Sequence, residues 1–600
     1  MKNLFKKHPK IIWCLRNFIP MLLFPIANFY LFELYISKPW ENMKVPIQFL
    51  NIYLFELLMV ILFLLLGHLK WALRFQSIFF MLVGLVNYYV ISFRSAPIMP
   101  WDIFSLGTAL SVADNYKYTI EKNTIFVILG FVIIIAASSI VNLNINIKGK
   151  WQKHIIAARL ASLVIFIALL CSFTNMLHLD STISRFKMYD KLFTPTVMSK
   201  RDGTAVAFLM ELKYISVDKP DNYSDSMAEQ ILAPYKNTAD DNESYNTPNI
   251  IVIMNEAFSD LSVLGDFETN ENYMPFIRSL MQEGTTNTVS GYLNVSVLGG
   301  NTANTEFEFL TGNTMAFLPQ GSVPYQQYIK SETTSLASHL KSLGYETVAM
   351  HPYNSTGWDR NKVYPLLGFD TSYFIRDYKN PEKIRKYVSD AACYNKIIEL
   401  YEAKDENKPL FIFNVTMQNH SSYTDDFDNF KPEITVNNSK SKALNNYLSL
   451  MKISDSAVED LITYFSNEDE DTIIVFFGDH QPTNSVVSNI WKLNGKDGNN
   501  LSEEDESKRY EVPFFIWSNF DIKEESNIEL SANYLAAKLL DVCDMPLYDY
   551  AQYLLNFSEK YPIITPIRVK SESGNSTDLD SVMGQLNNYA ILQYNRLFDK

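Results

Sequence analysis

The stretch from Asp471 to His480, DTIIVFFGDH, is a continuous apolar run that ends in glycine, aspartate and histidine. A strand buried on both faces has this pattern, as in a parallel sheet that is covered by helices. Three earlier runs have the same character, NIIVIM from Asn249, YETVAM from Tyr345 and PLFIFNV from Pro409. Because helical segments separate these runs, they predict an α/β domain with a central, mostly parallel sheet.

Polar or titratable residues follow all four of these runs. The runs lead into Glu256, His351, His420 and the pair Asp479-His480. In open α/β sheets, ligands bind beyond the carboxyl ends of the strands. Any one of these residues could simply meet solvent at a strand end. As a set, however, they predict one site, although more than two hundred residues separate the first from the last.

The segment LGGNTANTEF, from Leu298 to Phe307, is a glycine-containing turn that leads into a helix. A hydroxyl in the first helical turn lies near unpaired N–H groups and the positive end of the helix dipole, which favours an alkoxide or a bound phosphate. Thr302 is therefore a candidate nucleophile, and the alternative is a threonine that only caps the helix.

A threonine alkoxide needs more stabilisation than the end of a helix gives, and a divalent cation is the usual source. Glu256, Asp479 and His480 offer two carboxylates and an imidazole, and Thr302 adds a fourth ligand. This set of mostly oxygen ligands suits Mn²⁺ or Mg²⁺, and it also admits Zn²⁺.

The N-terminal part of the chain has a different character. Five apolar stretches precede residue 175, and each is about long enough to cross the hydrocarbon core of a bilayer. They are Phe18–Ile36, Phe49–Leu66, Phe75–Phe93, Thr124–Val141 and Ile155–Phe173. We expect a five-helix transmembrane domain in residues 1–175, a connecting helical arm in 176–247 and a catalytic domain in 248–600.

Basic residues predict the orientation in the membrane, because Lys and Arg near the ends of spans favour the cytoplasmic side. Three segments carry them: Lys2, Lys6, Lys7, Lys10 and Arg16, then Lys70 and Arg74, then Lys148, Lys150 and Lys153. This pattern places the N-terminus in the cytoplasm and, after five crossings, the catalytic domain outside the cell.

Charge and cysteine content exclude two classes of protein. The net charge of −14 argues against a nucleic-acid partner, because phosphate backbones need clustered Lys and Arg. The four cysteines have no paired spacing, so neither a disulfide framework nor a Cys-based zinc site is indicated.

The motifs, in their order and spacing, resemble those of the lipoteichoic acid synthase family, within the alkaline phosphatase and sulfatase superfamily. The resemblance covers nearly the whole chain and implies a sulfatase-like fold for the catalytic domain. The matching motifs are the Glu256 strand end, GNTANTEF around Thr302, LPQGS at Leu318–Ser322, GWDR at Gly357–Arg360, TMQNH ending at His420 and FFGDH ending at His480.

Members of that family bind one Mn²⁺ through the positions that match Glu256, Thr302, Asp479 and His480. Their threonine takes glycerol phosphate from phosphatidylglycerol, so that diacylglycerol leaves, and then passes it to an acceptor hydroxyl. The resemblance therefore implies a covalent intermediate on Thr302 and a donor that lies in the lipid bilayer. The implied acceptor is a polyglycerol-phosphate chain, a wall polysaccharide or an envelope glycolipid.

The resemblance also implies contacts with the donor. The positions that match Trp358, Arg360 and His420 contact glycerol phosphate in that family, and His351 is a further candidate. The residue types suit these roles, because Arg360 can pair with a phosphate oxygen, Trp358 can pack against glycerol and His420 can donate to phosphate or move a proton.

Three positions depart from the family pattern. Tyr353 replaces an aspartate that binds glycerol, Asn304 replaces an acidic residue near the nucleophile, and Asp359 replaces an asparagine beside Arg360. Two alternatives therefore stay open: a phosphoethanolamine transferase of the same superfamily, and a catalytically inactive relative that binds a wall polymer. The intact nucleophile and metal set favour transfer chemistry.

Overall fold

The computed structural model describes residues 9–94, 97–103, 121–146, 149, 151–189, 195–215, 217–236, 245–319, 322–498 and 500–599. These residues form two compact units, and the chain passes from the first unit to the second after residue 216. Several residues used in the sequence analysis lie outside the described residues: Lys2, Lys6, Lys7, Lys148 and Lys150 of the basic segments, and Gln320 and Gly321 of LPQGS.

The first unit contains five helices that are long and apolar enough to cross a membrane. They are α1 (Pro9–Glu33), α3 (Val45–Leu66), α4 (Leu69–Arg94), α5 (Lys122–Ala137) and α6 (Gln152–Leu177), with the short α2 (Pro39–Asn42) between the first two. The predicted five-helix membrane domain is confirmed, and the chain is a multi-pass membrane protein. The ends of the observed helices differ from those of the apolar runs by up to nine residues, and the largest differences arise where a helix begins in the polar sequence before its run.

Buried polar side chains link helices of this unit. Asn28 donates to Gln76 at 3.2 Å and accepts from the hydroxyl of Ser77 at 3.0 Å. Glu33, at the end of α1, accepts hydrogen bonds from the backbone N–H of Thr204 at 2.8 Å and from its hydroxyl at 3.1 Å. These bonds satisfy polar groups that would otherwise be costly to bury.

Three further helices of this unit follow the spans: α7 (Asp180–Phe186), α8 (Pro195–Asp202) and α9 (Thr204–Glu211). Residues 217–236 belong to the second unit instead, where α10 (Asp225–Leu232) packs against α22 (Leu579–Phe598). The boundaries expected from the sequence, 1–175, 176–247 and 248–600, stay a prediction.

The second unit is built on an eight-stranded sheet. Its strands are β1 (Asn249–Asn255), β2 (Thr288–Asn294), β3 (Glu346–His351), β4 (Thr371–Phe374), β7 (Leu410–Val415), β8 (Thr472–Gly478), β9 (Glu511–Ser518) and β10 (Glu525–Ser531). They lie in the order β10-β2-β9-β8-β1-β7-β3-β4, and only β9 runs antiparallel to its neighbours. The predicted α/β domain with a mostly parallel sheet is confirmed.

Small strands and helices complete this unit. The small strands are β5 (Lys383–Ile384), β6 (Tyr387–Val388), β11 (Ile563–Ile564), β12 (Val569–Lys570) and β13 (Ser576–Thr577). The helices are α11 (Pro275–Leu280), α12 (Thr302–Thr311), α13 (Pro324–Gln327), α14 (Leu336–Ser342), α15 (Arg360–Leu366), α16 (Asp390–Glu402), α17 (Lys442–Phe465), α18 (Asn484–Leu493), α19 (Glu503–Ser507), α20 (Leu535–Val542), α21 (Asp549–Lys560) and α22.

Both faces of the sheet are buried, which explains the continuous apolar runs of its central strands. Ile250 and Val252 of β1 pack on one face in a cluster with Phe307 of α12. Ile251 packs on the other face in a cluster with Leu444 of α17. The four strands predicted from apolar runs are the neighbouring parallel strands β8, β1, β7 and β3, so their carboxyl ends lie at one edge of the sheet.

The sequence analysis did not predict β2, β9 and β10. Strand β2, TVSGYLN, contains polar residues and Gly291, which weaken its strand pattern. A Cβ atom at Gly291 would lie 1.9 Å from the carbonyl oxygen of Ile528, so only glycine permits the close approach of β10. The four cysteines are free, with Cys14 and Cys171 exposed and Cys393 and Cys543 buried.

Candidate active site

Glu256, Asp479 and His480 lie together at the carboxyl ends of β1 and β8. The two strands pair Asn255 with Gly478, so the residues that follow lie side by side. Ligand atoms of the three side chains are all within 4.8 Å of one another. The Nε2 atom of His480 is 3.3 Å from Oδ2 of Asp479 and 3.9 Å from Oε1 of Glu256.

Two atoms of this group are buried without a hydrogen-bond partner among the described residues, Oδ2 of Asp479 and Nε2 of His480. Nδ1 of His480 lies 3.0 Å from the carbonyl oxygen of Gln481. Because a carbonyl only accepts, Nδ1 carries the proton and Nε2 of the neutral ring has a lone pair. Nε2 of His480 is therefore in the form that a metal ion requires, and it lies beside Oδ2 of Asp479.

Electrostatics also favour a cation here. Burial and the charge of Asp479 raise the pKa of Glu256 well above its usual range, and burial raises the pKa of Asp479. Two buried carboxylates within 4.8 Å of each other repel when ionised, and a divalent cation between them would offset that repulsion. The chemistry of the three ligands fits such an ion.

Thr302 lies directly beside this group. Its Oγ1 atom is 3.4 Å from Oε2 of Glu256, and the side chain is almost fully buried. Thr302 is the first residue of α12, as the glycine turn predicts, and the preceding Gly299 and Asn301 have left-handed φ angles of 62° and 65°. The hydroxyl therefore lies at the positive end of a helix whose first N–H groups have no partner within the helix.

Two contacts tie α12 to the end of β8. The N–H of Gly299 donates to the carbonyl of Gln481 at 3.0 Å, and the hydroxyl of Thr305 donates to the carbonyl of Asp479 at 2.8 Å. A third contact joins β8 to β1, because the N–H of Ala257 donates to Oδ1 of Asp479 at 2.7 Å. These bonds fix Thr302 relative to the three candidate ligands.

His351 is the last residue of β3, and His420 lies in the loop after the neighbouring strand β7. Nδ1 of His351 is 3.0 Å from the carbonyl of Val415, and Nδ1 of His420 is 2.9 Å from that of Ser421. Burial, with the charge of Arg360, lowers the pKa of His351 well below its usual range. Burial, with the charge of Arg385, lowers the pKa of His420 to about 4. Both imidazoles are therefore neutral at physiological pH.

Arg360 is buried and paired with Glu306 of α12. Its Nε atom is 3.0 Å from Oε1 of Glu306, its Nη2 atom binds the same carboxylate, and the hydroxyl of Tyr364 donates to Oε2 at 2.9 Å. The neighbouring Trp358 and Asp359 have left-handed φ angles of 56° and 57°. Strained backbone of this kind is frequent at functional sites.

The structure thus brings Glu256, Thr302, Asp479 and His480 into direct proximity. The charge of Arg360 acts on Glu256, which places Arg360 within electrostatic range of the group. Trp358 is half-buried against the hydrophobic core. The roles of Trp358, Arg360, His351 and His420 in substrate binding stay a prediction.

Sequence reasoning missed three residues beside these groups: Glu306, Arg385 and Tyr387. Glu306 stands within GNTANTEF, so its place in the motif of the candidate nucleophile was an available signal. Arg385 lies in the basic segment KIRKYV, which is typical of solvated surface, yet it is 5% exposed. Nothing in that segment indicates burial.

Residues 248–545 match the family model described as Sulfatase. They form a sulfatase-family domain. The domain includes all eight predicted site residues, from Glu256 to His480. The predicted resemblance to the lipoteichoic acid synthase family, within the alkaline phosphatase and sulfatase superfamily, is confirmed.

Two proteins with similar sequences match different lengths of this chain. A candidate cyclic beta-1,2-glucan modification protein of Rhizobium meliloti is 27% identical over 526 residues, which are 85% of this chain and 79% of that protein. A lipoteichoic acid synthase of Staphylococcus saprophyticus is 26% identical over 246 residues, 39% of this chain and 35% of the synthase. The latter match is confined to part of the synthase.

A solved structure shares the fold of the sulfatase-family domain. It is the Streptococcus pyogenes phosphoglycerol transferase GacH in complex with sn-glycerol-1-phosphate, at a TM-score of 0.52 and 21% identity. The similarity covers 64% of this chain and 96% of that chain. At this level of sequence identity, the similarity shows a shared fold.

Proposed function

We propose that this protein is a membrane-anchored, metal-dependent phosphoglycerol transferase. It takes glycerol phosphate from phosphatidylglycerol and passes it to an acceptor of the cell envelope. The observation that supports this proposal most is the position of Thr302, whose hydroxyl lies 3.4 Å from Glu256 at the start of a helix and beside Asp479 and His480. This arrangement suits a nucleophile that attacks phosphorus.

Glu256, Thr302, Asp479 and His480 would hold one divalent cation. We propose Mn²⁺, with Mg²⁺ and Zn²⁺ as alternatives, because the set contains three oxygen ligands and one nitrogen ligand. When bound, such an ion lowers the pKa of a coordinated hydroxyl and stabilises negative charge on phosphoryl oxygens.

In the first step, Oγ1 of Thr302 forms a bond to phosphorus and the bond from phosphorus to the diacylglycerol oxygen breaks. The proton of the threonine hydroxyl ends on the diacylglycerol oxygen, and we propose His420 as the group that carries it. Arg360 is suited to stabilise charge on the phosphoryl oxygens. The product is a glycerol-phosphate ester of Thr302.

In the second step, an acceptor oxygen forms a bond to phosphorus and the bond from phosphorus to Oγ1 of Thr302 breaks. The acceptor's proton returns to Thr302 by the same neutral imidazole. We propose a polyglycerol-phosphate chain, a wall polysaccharide or an envelope glycolipid as the acceptor, since each offers hydroxyl groups. His351 and Trp358 complete the proposed contacts with the glycerol phosphate.

The membrane domain supports a lipid donor. A catalytic domain that is tethered to the bilayer meets its lipid substrate at a high effective concentration. We propose that the N-terminus lies in the cytoplasm and the catalytic domain outside the cell, as the basic residues indicate. The net charge of −14 fits a protein without a nucleic-acid partner.

The test is turnover of labelled phosphatidylglycerol by the full-length protein in liposomes, with Mn²⁺ and candidate acceptors. We expect release of diacylglycerol, label on an acceptor and, after acid quenching, label on Thr302 detected by mass spectrometry. Phosphatidylethanolamine is offered in competition. Preference for that lipid would establish the phosphoethanolamine transferase alternative. Purified protein that binds no metal and shows no turnover of either lipid would favour the inactive wall-polymer binding alternative.

A further inference from the structure

A small hairpin next to the site makes several contacts with the loop that contains His420. The hairpin consists of β5, β6 and the turn between them, residues 383–388, and Arg385 lies in its turn with a left-handed φ of 57°. Its guanidinium reaches across to three backbone carbonyls of the loop. Nη1 donates to Ser422 at 2.7 Å, and Nη2 donates to Gln418 and His420, each at 2.7 Å.

Tyr387 of the same hairpin contacts the imidazole of His420 itself. Its hydroxyl oxygen lies 3.0 Å from Nδ1 of His420 and 3.1 Å from the carbonyl oxygen of Ser421. The two rings pack with their centroids 5.3 Å apart. Because the carbonyl accepts from the tyrosine hydroxyl, that hydroxyl oxygen in turn accepts from Nδ1–H of His420.

These contacts determine which ring nitrogen is available for chemistry. Nδ1 of His420 lies within hydrogen-bond distance of two oxygens that can accept its proton, the hydroxyl oxygen of Tyr387 and the carbonyl of Ser421. The proton is therefore held on Nδ1, and Nε2 keeps its lone pair. A second hydrogen bond to the non-reacting nitrogen is the usual means of fixing the tautomer and orientation of a functional histidine.

The hairpin is itself held in place. The side-chain amide of Asn429 donates to the carbonyls of Lys383 and Arg385, at 2.8 and 3.0 Å. The guanidinium of Arg385 also lies 5.6 Å from the ring centroids of both Tyr387 and Tyr423. Burying a guanidinium costs desolvation energy. The three hydrogen bonds of Arg385 offset that cost and hold the loop that contains His420 in one position.

We propose that the hairpin 383–388 positions His420 for group transfer, with Arg385 fixing its main chain and Tyr387 fixing its ring. Both act through His420 and are positioning residues. This inference rests on the proposed function, in which Nε2 of His420 moves a proton. A displacement of about 1 Å in such a group can slow a reaction by about a hundredfold.

The test uses full-length protein in liposomes with labelled phosphatidylglycerol. We expect Tyr387→Phe to lower kcat by about tenfold and Arg385→Lys by about a hundredfold, because lysine cannot bind three diverging carbonyls at once. The KM for phosphatidylglycerol and the affinity for Mn²⁺ should change little. The matched controls, Tyr464→Phe and the exposed Arg376→Lys, should leave kcat unchanged.

A double-mutant cycle separates positioning from general destabilisation. If the hairpin acts through His420, Tyr387→Phe and Arg385→Lys lose their effect in a His420→Ala background. Should His420→Ala have no measurable turnover, the same cycle is measured on kcat in a His420→Gln background. Additive effects in either cycle would overturn the inference.

Failure of this inference is distinguishable from failure of the proposed function. Wild-type protein that turns over phosphatidylglycerol, with hairpin variants as active as wild type, would overturn the positioning role alone. Wild-type protein that binds Mn²⁺ yet releases no diacylglycerol would overturn the proposed function and, with it, the role of the hairpin.

Discussion

Glu306 and Arg360 form a buried ion pair one helical turn beyond Thr302. The pair joins α12, which begins with Thr302, to α15, which begins with Arg360. Nε and Nη2 of Arg360 both bind the Glu306 carboxylate, so the guanidinium has one defined orientation. The same helix therefore fixes the candidate nucleophile and the candidate phosphate-binding arginine.

Breaking this ion pair on one side should destabilise the catalytic domain. Glu306→Ala leaves the buried charge of Arg360 uncompensated, which typically costs about 3–5 kcal/mol. Thermal unfolding of the full-length protein in detergent measures the effect as a lower transition temperature. The double variant Glu306→Leu, Arg360→Met should recover most of the stability without recovering turnover. Equal stability of Glu306→Ala and wild type would contradict this account.

Removal of the Thr302 hydroxyl should abolish transfer. Thr302→Ala should lower phosphatidylglycerol turnover by at least about a thousandfold, because the attacking oxygen is absent. Thr302→Ser keeps the oxygen and should retain part of the activity. Mn²⁺ titration of Thr302→Ala checks that Glu256, Asp479 and His480 still bind metal. Full turnover by Thr302→Ala would rule out the covalent intermediate.

Metal binding should stabilise the protein through the three clustered ligands. Mn²⁺ should raise the unfolding temperature of wild type, since a ligand that binds only the folded state shifts the equilibrium towards it. Asp479→Asn should weaken Mn²⁺ binding by more than about a hundredfold, because even residues behind a ligand contribute about 10- to 100-fold. The exposed Asp469→Asn is the control. The same Mn²⁺ response in both variants would count against the site.

Gly478 should be intolerant of a side chain. A Cβ atom there would lie 1.9 Å from the carbonyl oxygen of Phe258, so the turn that contains Glu256 would have to move away from Asp479. We expect Gly478→Ala to lose roughly 1–3 kcal/mol of stability and to bind Mn²⁺ more weakly. Gly584→Ala is the matched control.

Gly584 lies within α22, where a Cβ atom meets no other atom within 4 Å. Alanine there should stabilise the helix by about 0.5–1 kcal/mol. If calorimetric unfolding gave the two glycine variants the same stability, the close approach of β8 to the turn after β1 would not matter.

Membrane orientation can be tested with single cysteines. In a variant with Cys14 and Cys171 replaced by alanine, Asp469→Cys should react with a membrane-impermeant maleimide in intact cells. Lys153→Cys, in the first turn of the fifth span, should react only after permeabilisation. Both positions are exposed in the structure, so accessibility to the reagent reports the side of the membrane. The reverse pattern would place the catalytic domain in the cytoplasm.

Local patterns were enough to predict the five membrane helices, the four central strands and the helix that starts at Thr302. Each of these elements has its own pattern of apolar and polar residues along the chain, and that pattern can be recognised in the sequence. Glu256 and His480 could be placed at one edge because strands of a parallel sheet end together. This prediction depends only on the direction of the strands and needs no knowledge of side-chain contacts.

Other features were decided only by the tertiary structure. Strand β2 forms because β10 and β9 pair with it, although its own sequence is polar and contains Gly291. The partner of Arg360 is Glu306, which is 54 residues away, and Arg385 is buried by a loop that follows β7. The sequence around a charged residue is the same whether its side chain faces water or pairs with a buried partner. What distinguishes the two is the free energy of a contact that exists only after distant segments have packed together.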